Sequence, residues 1–329
     1  MNKYILSIAA CILFNLSNFQ AQTIPQEYFD LVKKADSLYT IKDYKNSAFN
    51  YSMAFKAHGW KAMSKNRYDA ACSWSMANYP DSAFFNLERI ANLMGYSNYD
   101  HIIIDNDLVP LHADKRWNSL IEKVKQNKEQ KEAKMNKPLV AKLDSIHNDD
   151  QAIRSKVGDV EKELGRDSKE VKAMWKEMHI KDSINLIKVV EILDKYGWLG
   201  ADVVGGIGNM TLFLVIQHSD LQTQLKYLPM MREAVKNKNA SPSDIALLED
   251  RVLMRQGKKQ IYGSQISRNK NGEFYVAALA DPDNVDKLRA EMNLQPLAEY
   301  VKRWDIVWDV EQHKKQMPEL EKELEKSKY

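Results

Sequence analysis

Three runs in the second half of the sequence carry side chains that can move protons or hold a ligand. They are Gln217-His218-Ser219-Asp220, Glu249-Asp250-Arg251 and Gln260-Ile261-Tyr262-Gly263-Ser264-Gln265. A histidine two residues from an aspartate supplies a general base and an orienting carboxylate, provided the helix has unwound enough for the two to meet. Arg251 offers a fixed fork of donors for a carboxylate, and Tyr262 a hydroxyl. These features predict one pocket formed by His218, Asp250, Arg251, Gln260 and Tyr262, with His218, Asp220, Asp250 and Arg251 as the catalytic set of an enzyme, a hydrolase among the possibilities. Two structural readings compete. His218 can be a helix C-terminal histidine whose cationic form suits the dipole, and Arg154 and Arg251 with Asp150 and Asp250 can form one buried ion-pair network.

Other chemistries lack their signatures. There is no HExxH, CxxC or close histidine pair, so His147, Asp149 and His218 could meet a metal only through the fold, and no metal is expected. No Gly-x-Ser-x-Gly elbow exists, and Ser264 is expected in a strand as a surface residue. Gly205, Gly206 and Gly208 fit neither the dinucleotide fingerprint nor the Walker loop; they predict a tight turn that lets a buried helix approach its neighbours. No cofactor is expected.

These side chains must be positioned by a chain of 329 residues, which predicts two domains. A formal net charge of +3 argues against nucleic acid as a partner. Lys3, the apolar run Tyr4 to Leu16 and the polar stretch ending at Ala21 predict a signal peptide over residues 1–21, hence a periplasmic or extracellular protein; lipid anchoring at Cys11 is the alternative. No later segment is long and apolar enough to predict a membrane span. Cys72 is then the only cysteine of the mature chain and is expected to be buried.

Residues 22–122 predict helical hairpins with small residues where helices touch. Ala35, Leu38, Tyr44, Ser47, Tyr51 and Ala54 fall at tetratricopeptide spacing and recur 36 residues later as Ala71, Trp74, Tyr79, Ser82 or Ala83, Leu87 and Ile90. Asp105 to Trp117 predicts the cap, and resembles the segment that commonly closes such arrays in bacterial proteins. Stacked hairpins form a concave surface, here expected to present Tyr39, Tyr44, Tyr51 and Trp74 to a protein or peptide unless packing uses them all. Residues 123–138 predict a solvated charged linker. Residues 139–312 predict a second helical domain in which Met174 and Trp175, then Ile184, Ile187, Val190 and Leu193, point inward. Gln260 to Ser267 and Glu273 to Leu279, around Asn269-Lys270-Asn271-Gly272, predict a β-hairpin near 260–279. Residues 313–329 predict a charged, frayed tail.

The sequence from 139 to 301 resembles an uncharacterised domain family of secreted or periplasmic bacterial proteins, especially of the Bacteroidetes type. The resemblance is carried by Asp150-Gln151 with Arg154, Asn185, Gly197-Trp198, Gln217-His218-Ser219-Asp220, Asp250-Arg251 and Gln260-Ile261-Tyr262-Gly263-Ser264-Gln265. It implies ligand-contacting roles for Gln151, Arg154, Asn185, Gln260, Tyr262 and Gln265, and brings no known activity. The combined expectation is a mainly α protein, a short tetratricopeptide-like array that binds a protein or peptide followed by a helical domain with one β-hairpin.

Overall fold

The computed structural model of the chain describes residues 24–326; the expected signal peptide and Cys11 lie outside them. The protein is mainly helical, with one two-stranded antiparallel sheet among the described residues. It divides into two compact units between Gln130 and Lys131. No described helix is long and apolar enough to cross a membrane.

The first unit contains α1 (Gln26–Thr40), α2 (Tyr44–Ala57), α3 (Ser64–Met76), α4 (Pro80–Leu93), the short α5 (Tyr99–Ile102), a 3-10 segment Asn106–Leu111, and α6 (Arg116–Glu132). α1 packs on α2, α2 on α3 and α3 on α4. The small residues sit at the contacts as expected: Ala35, Ser47, Ala54, Ala71 and Ala83 are fully or almost fully buried. Two expectations fail here. Of the aromatics assigned to a binding surface, Tyr51 is buried and donates to Asp36, Trp74 is buried between Phe49 and Tyr79, and Tyr39 donates to Asp107. Packing and buried hydroxyl bonds consume them. The charged stretch after Lys123 is not free of the core either. α6 buries Val124, and Asn127 donates to the carbonyls of Ala91 (2.7 Å) and Tyr96 (3.0 Å). Cys72 is buried, and burial beside Asp105 and Asp107 raises its thiol pKa, so the thiolate is disfavoured.

The second unit is built on two long antiparallel helices, α7 (Lys137–Leu164) and α8 (Lys169–Tyr196), against which α9 (Ala201–His218) packs; α10 (Leu221–Lys236) and α11 (Pro242–Arg255) follow. Asn136 caps α7 and Ser168 caps α8 through their side-chain oxygens, and Gly197, at φ 70°, ends α8. α7 buries Leu143, Ile146, Asp150 and Ile153, one face with a carboxylate in it. α8 buries Val171, Met178, Asn185, Val189, Ile192 and Leu193. The expected phase is therefore wrong for part of this helix, since Trp175, Ile184 and Ile187 are exposed while Asn185 is inside. In α9, Gly205 breaks the helical dihedrals at φ 74° and ψ 167°. Gly208 lets α9 approach α7, where an added Cβ would lie 3.1 Å from Leu143 Cδ1.

The hairpin is β1 (Ile266–Arg268) paired with β2 (Phe274–Val276), shorter than expected, with a further bridge between Gln260 and Leu279. Residues 261–265 form a loop, and Ser264 is buried, which corrects its expected place on the surface of a strand. α12 (Val285–Glu291), α13 (Leu297–Val301) and α14 (Val310–Lys326) complete the unit. α14 replaces the expected frayed tail. Its His313 and Leu324 are buried, and Glu321 pairs with Lys259 at 2.5 Å.

Candidate functional site

α7, α8 and α9 bring a polar cluster together: Asp150, Gln151 and Arg154 come from α7, Asp182 from α8 and His218 from α9. His218, on the last turn of α9, lies with Nδ1 3.0 Å from Oδ1 of Asp150 on α7. That contact assigns the Nδ1–H tautomer and leaves Nε2 as the acceptor. No protein group among the described residues bonds Nε2, and the side chain is 18% exposed. Arg154, one turn beyond Asp150, donates to its Oδ1 at 3.1 Å and grips both oxygens of Asp182 on α8 at 2.8 Å each. Gln151 donates to the other oxygen of Asp150 at 2.6 Å. Burial alone would raise the Asp150 pKa; the His218 hydrogen bond and the neighbouring charges of His218 and Arg154 outweigh it and hold the carboxyl below its ordinary value. Asp150 is thus a fixed, ionised partner for the imidazole.

The cluster opens on a cleft of about 250 Å³ lined by Asp150, His179, Asp182, Leu186, His218 and Asp220 among others. Ligating atoms of Asp150, Asp182 and His218 lie within 4.8 Å of one another, close enough for a metal ion. Arg154 already bridges the two carboxylates, so a metal would have to displace a guanidinium. Asp220 does not orient His218. Its carboxylate caps α10, accepting from the Thr223 amide at 2.8 Å, because the turn after α9 aims it at the next helix instead. Asn185 is buried one turn from Asp182, and neither atom of its amide has a protein partner.

The remaining expected residues divide between this cluster and a loop anchor. Arg251 borders it through the backbone: its guanidinium donates to the carbonyl of Gln217 at 3.0 Å and to Gln265 Oε1 at 3.1 Å. Burial, together with Arg255 and Arg154, pulls its pKa down to about 10. Asp250 does not. It is fully buried and accepts the backbone N–H groups of Ile261 (2.6 Å), Tyr262 (3.0 Å) and Ser264 (2.9 Å), so it organises the loop from beneath. Burial raises its pKa despite those bonds. Gln260, also buried, ties the same loop to the hairpin through Gln265 and the carbonyl of Ala277. The Tyr262 hydroxyl faces Glu249 at 3.4 Å, and burial and that carboxylate push its pKa up to about 12. Asp250, Gln260 and Tyr262 therefore form a second, structural centre.

A family model described as a family of unknown function, DUF6624, matches residues 138–311, more than half of the chain. The chain belongs to this family. The match takes in every candidate residue discussed above, from Asp150 to Gln265, and stops short of the first unit, for which no tetratricopeptide family match is found. No curated protein and no solved structure matches the chain. Within the DUF6624 region, sequence reasoning missed Asp150 as the partner of His218; it placed Asp182 on one side of its helix with Asn185 without giving it a role, and it missed Arg255 altogether. A signal for the first existed: Asp150 and Arg154 are one turn apart on a face with Leu143 and Ile146, a carboxylate where an apolar residue is due.

Proposed function

We propose that the DUF6624 region is a hydrolytic enzyme in which His218 is the general base. The observation that carries this reading is the Nδ1 contact with a buried, ionised Asp150 in a cleft, with Nε2 left unbonded. Neither hydroxyl lining the cleft is turned toward His218: that of Ser219 donates to the Ile216 carbonyl and that of Ser183 to the His179 carbonyl. The nucleophile is then water. Nε2 takes one water proton as the oxygen bonds to the electrophilic centre, and the imidazolium returns a proton to the leaving group, so no net charge accumulates. Asp150 stabilises the transient imidazolium, and Arg154 holds Asp150 and Asp182 in place. The test is turnover by the full chain on a panel of carboxylic esters, amides and phosphoesters. His218→Ala is expected to cost about 10²- to 10⁴-fold. Turnover that survives this change, or no turnover on any member, refutes the reading.

The first unit supports a second role, tetratricopeptide-like binding of a protein or peptide. The supporting observation is the row Phe49, Trp74 and Tyr79, in edge contact, with Phe49, Met53 and Tyr79 exposed beside one another on the chain's helical hairpins and Lys45 over the Tyr79 ring. Selection from a displayed peptide library should yield apolar, acidic sequences whose binding is lost in Phe49→Ser with Met53→Ser. Selected binders indifferent to both changes would contradict it. We also propose that the protein acts outside the cytoplasm, on the strength of Lys3 and the apolar run after it. A native mass beginning near Gln22 is expected; intact Met1 or a diacylated Cys11 contradicts it.

A further inference from the structure

Arg251 and Arg255 stand four residues apart on α11, hence side by side on one face. Arg251 donates to the carbonyl of Gln217 and Arg255 to that of Ser219 at 2.5 Å, so the two guanidinium groups bracket the backbone of His218. Part of their work is ordinary: they satisfy carbonyls at the C-terminus of α9, where cations suit the dipole. That work uses few of their donors. A guanidinium has five N–H groups; Arg251 commits them to Gln217 and Gln265, and Arg255 to Ser219 alone.

Neither arginine forms a salt bridge with a carboxylate among the described residues, although other partly buried arginines here do. Arg154 has Asp150 and Asp182, and Arg116 has Asp81 and Asp114. Arg67 and Arg289 lack a carboxylate too, but lie over the rings of Phe55 and Tyr300. Among the described residues no aromatic ring lies beneath Arg251 or Arg255. Burial, then the neighbouring charges of Arg255 and Arg154, lower the Arg251 pKa, and Arg154 is itself neutralised by Asp150 and Asp182, so the two guanidinium groups on α11 are the ones left for an anion. Only Asp220, already the cap of α10, tempers Arg255 from a distance.

We infer that Arg251 and Arg255, with Gln265 fixing the first, form an oxyanion-binding subsite beside His218, and that the molecule acted on carries a carboxylate or phosphate group seated there. The fork geometry of guanidinium suits either group through paired charge-assisted hydrogen bonds. The subsite stands on the arginines alone; calling its occupant a substrate rests on the general-base reading of His218. Such a subsite would hold the ligand's negative charge beside the backbone that carries His218.

The test is titration of the ¹⁵N-labelled full chain with inorganic phosphate and, separately, with acetate, read at the arginine Nε–H signals. Saturable shifts centred on Arg251 and Arg255 are expected, and the tighter of the two probes names the group. Arg255→Gln should weaken binding by about tenfold, the loss of one charge-assisted pair. Arg251→Lys, which keeps the charge and loses the fork, should weaken it less. Should either variant melt below the titration temperature, the wild-type shifts decide. His218→Ala should bind the probes as wild type does, so failure of the general base and failure of the subsite are separate results. No saturable shift with either probe, shifts centred on other arginines, or unchanged affinity in a folded Arg255→Gln protein overturns the inference.

Discussion

Replacing Asp250 by asparagine separates a scaffold carboxylate from a catalytic one. Oδ1 of Asp250 accepts from Ile261 and Tyr262, and Oδ2 accepts from Ser264 at 2.9 Å. Asparagine can keep one oxygen facing the first pair, but its NH₂ then meets the Ser264 N–H, donor against donor. A buried donor left without an acceptor costs about 1–3 kcal/mol, and turning the two remaining charge-assisted bonds into neutral ones costs roughly 1 kcal/mol more in sum. Against this, the charge itself is expensive here, since burial raises the Asp250 pKa, and asparagine removes that cost. The net loss is about 2 kcal/mol, which for a unit of this size lowers Tm by about 4–8 °C. Differential scanning calorimetry of wild type and Asp250→Asn reads it directly. Turnover measured well below both transitions should stay within about threefold of wild type, because Asp250 touches the loop and not the cleft lined by His218. An unchanged Tm with turnover abolished would refute the assignment and restore Asp250 to the chemistry.

Three further outcomes follow from the same geometry. Burial pulls the pKa of His313 down to about 4, so the folded chain binds fewer protons there than the unfolded chain between pH 4 and 6.5. Its stability contribution is therefore whole above pH 6.5 and is lost as pH falls toward 4; denaturant melts should show wild type losing up to about 3 kcal/mol over that window relative to His313→Leu, and parallel curves would contradict it. Gly263 has φ 67°, and an added Cβ would lie 3.0 Å from Leu297, so Gly263→Ala should destabilise by about 2 kcal/mol in the same melts, and a neutral change would show the loop to be pliable. A fragment of residues 24–130 should unfold cooperatively by circular dichroism, since its compact unit ends at Gln130; a non-cooperative melt would show that it needs the rest of the chain.

The helices of the first unit were legible because small residues recur where backbones must touch, and that pattern survives any detail of packing. Its aromatic surface was not, since Tyr51 and Trp74 look alike in sequence whether they face a ligand or a neighbouring helix. In α8 the isoleucines at 184 and 187 outvote Asn185, yet the asparagine is inside and the isoleucines outside. A periodicity argument assumes that apolar residues mark the buried face, and a helix with polar groups at its inner side and apolar ones at its outer side defeats it. The site was legible in membership and not in pairing. Arg251 bonds the carbonyl of Gln217, next to His218 in the chain, but the partner of His218 comes from 68 residues away on α7, while Asp220, two residues away, is taken by the cap of α10. Tertiary contact between α7 and α9 decides that choice, through the close approach at Gly208, and no local spacing encodes it.

The central claim, a base at Nε2 of His218 oriented by Asp150, is tested most directly by the ¹⁵N resonances of the His218 ring in wild type and in Asp150→Asn. The account predicts a neutral Nδ1–H tautomer in wild type at high pH and a mixture of tautomers in the variant, with turnover falling in parallel. A wild-type ring protonated at Nε2, or a variant whose tautomer and turnover match those of wild type, would contradict it.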